Sequence, residues 1–206
     1  MVEKFIQKHF CSSQQSGLHF TMGSLKNHIL ISMPHMQDPY FGKTVILLCE
    51  HTKDGAMGLI INRPFQEPDM KDLFLEIYQE TENIFKVVPT IYFGGPVMIE
   101  RGIVLHSSEY KRKGTVSVSE DFALTSHKFI LQDIRSGEAP ESYKLVLGHA
   151  GWTRGQLEKE IEHSDWLLQQ TSKDFIFNTP DDIMWNQAAK ALGIQTTQIT
   201  GVGGIA

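Results

Sequence analysis

The stretch from Thr44 to Pro64, TVILLCEHTKDGAMGLIINRP, constrains this chain more than any other. From Val45 to Cys49 it is apolar without alternation, and a strand with apolar side chains on both faces has to be covered on both faces. Such a strand belongs inside a sheet, between two packed layers. Asp54-Gly55 is a tight-turn signal, so the apolar run that follows returns as an antiparallel partner. Pro64 ends that partner by forcing Arg63 into an extended conformation. A doubly covered hairpin therefore sits at the centre of the expected fold.

Shorter strands are expected around it. HILISMP (28–34) is apolar up to Pro34, which lacks the donor a ladder needs. TIYFGGPV (90–97), RGIVLHSS (101–108), GTVSVSE (114–120) and YKLVLGH (143–149) read as further strands punctuated by glycines, and WLLQQ (166–170) and DFIFN (174–178) as short extended pieces. Helical spacing recurs in PDMKDLFLEIYQE (68–80), with Asp69 as cap. A second helix is expected in LTSHKFILQDIRSGEAP (124–140), capped by Thr125 or Ser126 and closed by Gly137. TPDDIMWNQAAKALGI (179–194) carries Thr179 as cap, Pro180 at the first position, two acids in the first turn and Gly193 past the end. Hairpins mixed with helix crossovers give an α+β or mixed α/β class around one sheet system. With 206 residues, 41% of them hydrophobic, the chain fits one domain, residues 23–206, preceded by an appendage, residues 1–22, of different style.

Several function classes are disfavoured. A formal net charge of -5 repels phosphate backbones, and neither a helix-turn-helix nor a zinc finger is present, so direct nucleic-acid binding is not expected. The basic YKRKG (110–114) reads as a solvated turn. Cys11 and Cys49 cannot form a disulfide framework. The nine histidines include no His-x-x-x-His pair and there is no Cys-x-x-Cys, so neither metal nor cofactor is expected. No apolar run approaches the roughly 20 residues that span a bilayer, and the expected location is the cytoplasm, with no membrane contact.

The segment GHAGWTRGQLEKEIEHSDW (148–166) suggests a strand passing through a glycine corner into a helix. No Ser or Cys stands between the glycines, so the nucleophile elbow of hydrolases is absent, and the phosphate-loop and dinucleotide patterns fail too. Thr153 and Gln156 fit a capping box, which makes the corner structural first and an anion cradle second, with Arg154 supporting the latter. Elsewhere, Glu50 and His51 alternate along one strand, so only one can face a given pocket. A buried Glu50 would need a partner, with Arg63 or Arg101 as candidates.

Taken together, the blocks ILISMPHMQDPYFGKTVILLCEHTKDGAMGLIINRP, YFGGPVMIERGIVLH, ALT and LGHAGWTRGQLEKEIEHSDWL resemble, in order and spacing from about Leu25 to Gly193, the AlgH/YqgE family of small bacterial proteins. The resemblance implies an α+β single domain, a mixed, mostly antiparallel branching sheet, partly barrel-like, with helices packed outside. Some members of that family carry the label of transcriptional regulator, but the resemblance brings no catalytic residues. His149 stands where an aromatic residue is more usual in the family.

The expected activity is binding, with a regulatory outcome, in a cleft lined by Glu50, Asn62, Arg63, Gly94, Gly95, Arg101, His106, Trp152 and Arg154. Arginines beside exposed backbone donors favour a small anionic ligand or the carboxylate of a protein partner. Two alternatives stay open: an enzyme that activates water with Glu50 or a histidine as general base, and a regulator acting directly on DNA.

Overall fold

A computed structural model describes residues 23–65 and 89–194. Nine strands and four helices are placed: β1 (His28–Ser32), β2 (Val45–Thr52), β3 (Gly55–Ile60), β4 (Ile91–Phe93), β5 (Val97–Ser107), β6 (Thr115–Ser117), β7 (Phe122–Thr125), α1 (Phe129–Ser136), β8 (Tyr143–Thr153), α2 (Gln156–Glu162), β9 (Trp166–Gln170), α3 (Lys173–Asn178) and α4 (Asp181–Ala191). The appendage and the expected helix over 68–80 lie outside the described residues.

The central hairpin forms as its residues dictate. β2 and β3 pair antiparallel from Ile46↔Ile60 to Thr52↔Gly55, so Lys53 and Asp54 make the two-residue turn. Val45 through Cys49 are buried. Val45, Leu47 and Cys49 join one core cluster, while Ile46 and Leu48 join another on the opposite face. The strand order is β6-β7-β5-β8-β3-β2-β1-β9, with β4 pairing with β8 outside that path. The β4–β8 ladder is parallel and the others are antiparallel. The result is a single curled, mostly antiparallel sheet in one domain, with helices against its faces.

The sheet branches where glycines allow it. β3 pairs with β8 only as far as Gly58↔Ala150. Beyond that point Gly94 takes the place between them, donating its N–H to the Leu147 carbonyl at 2.8 Å while its own carbonyl accepts from Ile60 N–H at 2.9 Å. A Cβ on Gly95 (φ 143°) would lie 2.3 Å from the His149 backbone, and one on Gly148 (φ 70°) 2.3 Å from the Gly95 carbonyl. Only glycine permits both that approach and those dihedrals.

Helices α3 and α4 cover one end of the concave face, placing Ile176, Met184 and Trp185 among the strand side chains. The Trp185 indole donates to the Ser32 carbonyl at 2.8 Å, and Lys144, only 5% exposed, is ion-paired with Asp181 at 2.9 Å. Tyr92 hydroxyl donates to the other oxygen of the same carboxylate at 3.0 Å. On the convex face α2 contributes Leu157 beside Trp152 and Trp166, while Ile130 of α1 packs on Val104 and Leu145.

Four local expectations need correction. The strand leading to Gly148 does not turn there; β8 runs on to Thr153, paired with Gly55–Gly58 of β3, and the bend falls at Arg154-Gly155. Ladder pairing outweighs the turn preference of the glycines. Thr125 belongs to β7, and α1 starts at Phe129 with no side-chain cap. Residues 173–178 are helical rather than extended, because Ser172 Oγ accepts from Phe175 N–H and caps them. Pro180, not Thr179, is the residue that precedes the first turn of α4.

Candidate functional site

At the end of the concave face away from α3 and α4 lies a cavity of about 460 Å³. It sits within the about 300–1,000 Å³ range of small-molecule sites. Its walls come from β2, β3, β5, β6, β7 and β8, so the curl of the sheet makes the concavity. The lining is largely apolar, including Met57, Ile103, Val116 and Leu124, with Glu50, Arg101, Ser126 and His149 as its principal polar side chains.

Glu50 reaches this cavity through an irregularity in β2. The register passes from Leu48↔Gly58 to Glu50↔Met57 and leaves Cys49 without an opposite residue. Such a bulge puts two successive side chains on the same side. Cys49 and Glu50 therefore both line the cavity, and His51 is turned to the convex face. There, Leu25 N–H donates to His51 Nδ1 at 2.9 Å, which leaves the proton on Nε2 to be donated to Glu158 Oε1 at 2.9 Å. Burial pushes the Cys49 thiol up to about 12, so it has no thiolate character near neutrality.

The four principal polar side chains of the cavity lack ion-pair or hydrogen-bond partners at their key atoms among the described residues. His149 Nδ1 and Ser126 Oγ are buried without a hydrogen bond among the described residues. Neither Glu50 nor Arg101 takes part in an ion pair among those residues. Burial raises the Glu50 carboxyl above its ordinary value, and the charge of nearby Lys26 partly offsets this. The Lys26 ammonium itself donates to the Ser117 carbonyl at 3.0 Å, tying the start of β1 to the end of β6. His149 is pushed below the usual histidine value by burial and then by the charge of Arg101, so the imidazole is neutral at pH 7.

Of the nine residues expected to line one cleft, the structure brings Glu50, Arg101 and Trp152 to this cavity. Trp152 offers no recognition group there, since its indole packs in the convex-face cluster and its N–H is held by Glu160 Oε2 at 2.8 Å. Asn62 and Arg63 line a separate, more open depression with Asp181 and Asp182. Arg63 does not pair with Glu50: its guanidinium donates to the carbonyls of Pro39 (2.7 Å) and Gly42 (2.6 Å). Asn62 accepts from Val45 N–H at 2.8 Å and donates to the Lys43 carbonyl at 3.1 Å. Both side chains clamp the loop between β1 and β2.

Gly94 and Gly95 approach β8 rather than a ligand. His106 is not on a rim but fully buried, its Nδ1–H donating to the Ser107 carbonyl at 2.8 Å while Nε2 accepts from the Thr125 hydroxyl at 2.9 Å. Arg154 is exposed in the bend before α2. Half of the capping box forms there: Gln156 Oε1 accepts from Thr153 N–H at 3.0 Å.

Sequence reasoning left two polar residues out of the cleft, Ser126 and His149, of which His149 faces Val97 across the β5–β8 ladder. The signal for His149 was the replacement of an expected aromatic by a polar ring. Among the described residues no group of three or more His, Cys, Asp or Glu is placed to hold a metal ion, and no helix is long and apolar enough to cross a membrane.

Comparison with known proteins bears on this architecture. A family model described as AlgH-like matches residues 29–197. A UPF0301 protein of Marinomonas sp. (strain MWYL1) is 43% identical over 177 residues, covering 86% of this chain and 94% of the relative. A UPF0301 protein of Paraburkholderia phymatum is 40% identical, covering 88% and 95%. The solution structure of the AlgH protein from Pseudomonas aeruginosa superposes with a TM-score of 0.72 at 35% identity, covering 94% of this chain and all of that one. A Corynebacterium diphtheriae protein shares the fold at a TM-score of 0.64 and 17% identity, covering 84% and 90%.

Proposed function

We propose that this chain, which belongs to the AlgH-like family, is a binding protein whose cavity takes a small organic anion with an apolar body, and that occupancy of the cavity is its regulatory signal. One observation carries the reading: Arg101, His149 and Ser126 share the cavity lining, and neither His149 Nδ1 nor Ser126 Oγ has a hydrogen-bond partner among the described residues. A buried polar atom left unpaired costs about 1–3 kcal/mol, and a ligand that pairs with it recovers that cost. The apolar walls reward a hydrocarbon or aromatic body, and a guanidinium suits a carboxylate.

A general-base enzyme built on Glu50 with His51 and His106 has less support, because those histidines lie on the convex face and inside the β5–β7 ladder respectively. A direct DNA reader is disfavoured by a net charge of -5, which repels a phosphate backbone.

The test is a fluorescence titration with anilinonaphthalene sulfonate, an apolar anion of suitable size, on the native protein with its near-ultraviolet circular dichroism intact. Wild type should bind saturably at one site. Arg101→Gln and the cavity-filling Val116→Trp should each weaken binding about tenfold or more, in line with losing a charged contact or the space itself. Unsaturable binding, or variants indistinguishable from wild type, would remove the reading.

A further inference from the structure

The cavity is polar on two separate walls, and the two carry opposite charge. Arg101, with His149 beside it, belongs to the β5–β8 wall, and Glu50 belongs to β2. In the strand order β5, β8, β3 and β2 follow one another, so three inter-strand steps separate the walls. At about 4.8 Å per step the span is on the order of 14 Å along the sheet, shortened by its curl. Met57 of β3 and Gly151 of β8 line the floor between them.

Resting on the binding reading above, we propose that the ligand is dipolar: a carboxylate that meets Arg101, an apolar middle about as long as an eight-atom chain, and an amine or other hydrogen-bond donor that meets Glu50. The bulge at Cys49 carries much of the argument. Regular alternation would send Glu50 to the convex face beside Ile46 and Leu48; the bulge brings a carboxylate into an apolar hollow where it has no ion-pair partner among the described residues. Lys26 is the nearby cation, but its ammonium is held by the Ser117 carbonyl. A carboxylate half removed from water is costly until a donor satisfies it. The floor between the walls is apolar, which disfavours a ligand polar along its whole length.

Three matched probes separate the possibilities by calorimetry: octanoate, octylamine and ω-aminooctanoate. Wild type should bind ω-aminooctanoate at least about fivefold more tightly than either singly charged probe, the return expected from one further charged hydrogen bond. Glu50→Gln should abolish the preference over octanoate while leaving octanoate affinity unchanged, and Arg101→Gln should weaken both acids. Thermal melting of each variant establishes that it is folded, and Lys26→Met, which frees Ser117 and keeps Glu50, should preserve or enlarge the preference.

Equal binding of octanoate and ω-aminooctanoate, or a preference that survives Glu50→Gln, overturns the dipolar assignment and leaves the binding reading standing. Binding of anilinonaphthalene sulfonate with none of the three probes bound also overturns it. Loss of all four ligands overturns both readings together.

Discussion

Trp152 of β8 and Glu160 of α2 are joined by an indole N–H to carboxylate hydrogen bond of 2.8 Å, and the same oxygen accepts a second indole N–H, from Trp166 of β9, at 2.8 Å. The other oxygen accepts from the Gln156 amide at 2.9 Å. The two indoles meet edge to face with centroids 6.2 Å apart. One helical carboxylate thus pins together β8, an inner strand, and β9, the edge strand at the far end of the β3-β2-β1-β9 series.

Glu160→Ala is therefore expected to destabilise the protein by about 2–4 kcal/mol, since it strands two mostly buried donors. Glu160→Gln should cost less, because an amide oxygen can still accept both. Urea unfolding followed by tryptophan emission measures the two variants; equal losses would show that the charge rather than the acceptor matters, and no loss would show that solvent satisfies the indoles.

Arg63 was a candidate ligand contact and is instead a loop clamp, holding the carbonyls of Pro39 and Gly42. Replacing it with Ala should lower stability by about 1–2 kcal/mol, a partly exposed charged pair of hydrogen bonds. Affinity for anilinonaphthalene sulfonate should not change, because Arg63 lies outside the cavity wall. A loss of affinity without a loss of stability would return Arg63 to the recognition surface.

The central hairpin and most strands were legible because their signals are local: an apolar run, an Asp-Gly turn, a proline stop. The family resemblance supplied the curled, branching sheet, which local patterns could not. What stayed hidden depends on pairing between distant segments. The bulge at Cys49 is invisible in an unbroken apolar run, since no alternation exists for it to interrupt, yet it decides which face Glu50 takes. The glycines of GHAGW mimic a turn, and only the neighbouring β3 and β4 show that β8 passes straight through. Arg63 could not be told from a ligand contact because its partners are backbone carbonyls of a loop with no sequence signature. Glu50, Arg101 and Trp152 reach one cavity because they lie on strands that the curl draws together.

The branch point gives a sharp steric prediction. Gly95 has φ 143°, and an added Cβ would sit 2.3–2.4 Å from three backbone atoms of His149 and Ala150. Gly95→Ala should cost more than about 3 kcal/mol, because dihedral strain and a backbone clash add. Gly193 is the control: its φ is 80° but nothing lies within 4 Å of an added Cβ, so Gly193→Ala should cost only about 1–2 kcal/mol. Comparable unfolding midpoints for the two variants would mean that β4 and β8 can separate without penalty.

The buried histidines set the response to acid. His106 is held below its ordinary value of 6.5 chiefly by burial, against the opposing effects of the Ser107 carbonyl and the Glu109 charge, and His149 is lowered by burial and Arg101. In both cases the unfolded chain takes up a proton more readily than the folded one. Their contribution to stability is therefore complete above 6.5 and is lost as pH falls through that value toward the depressed folded ones. Glu50 has the opposite sign: its folded value is raised above 4.5, so its contribution is present below 4.5 and fades as pH rises through the raised value. With two histidines against one half-buried carboxyl, the net expectation is a falling urea midpoint between about pH 7 and about pH 5.5. His106→Gln should flatten that slope, because Gln keeps a donor for the Ser107 carbonyl and an acceptor for the Thr125 hydroxyl but does not titrate. His149→Asn should flatten it too, as burial and the Arg101 charge both lower that ring. A double variant retaining the wild-type slope would show that other groups govern the acid response and that both imidazoles protonate freely in the folded state.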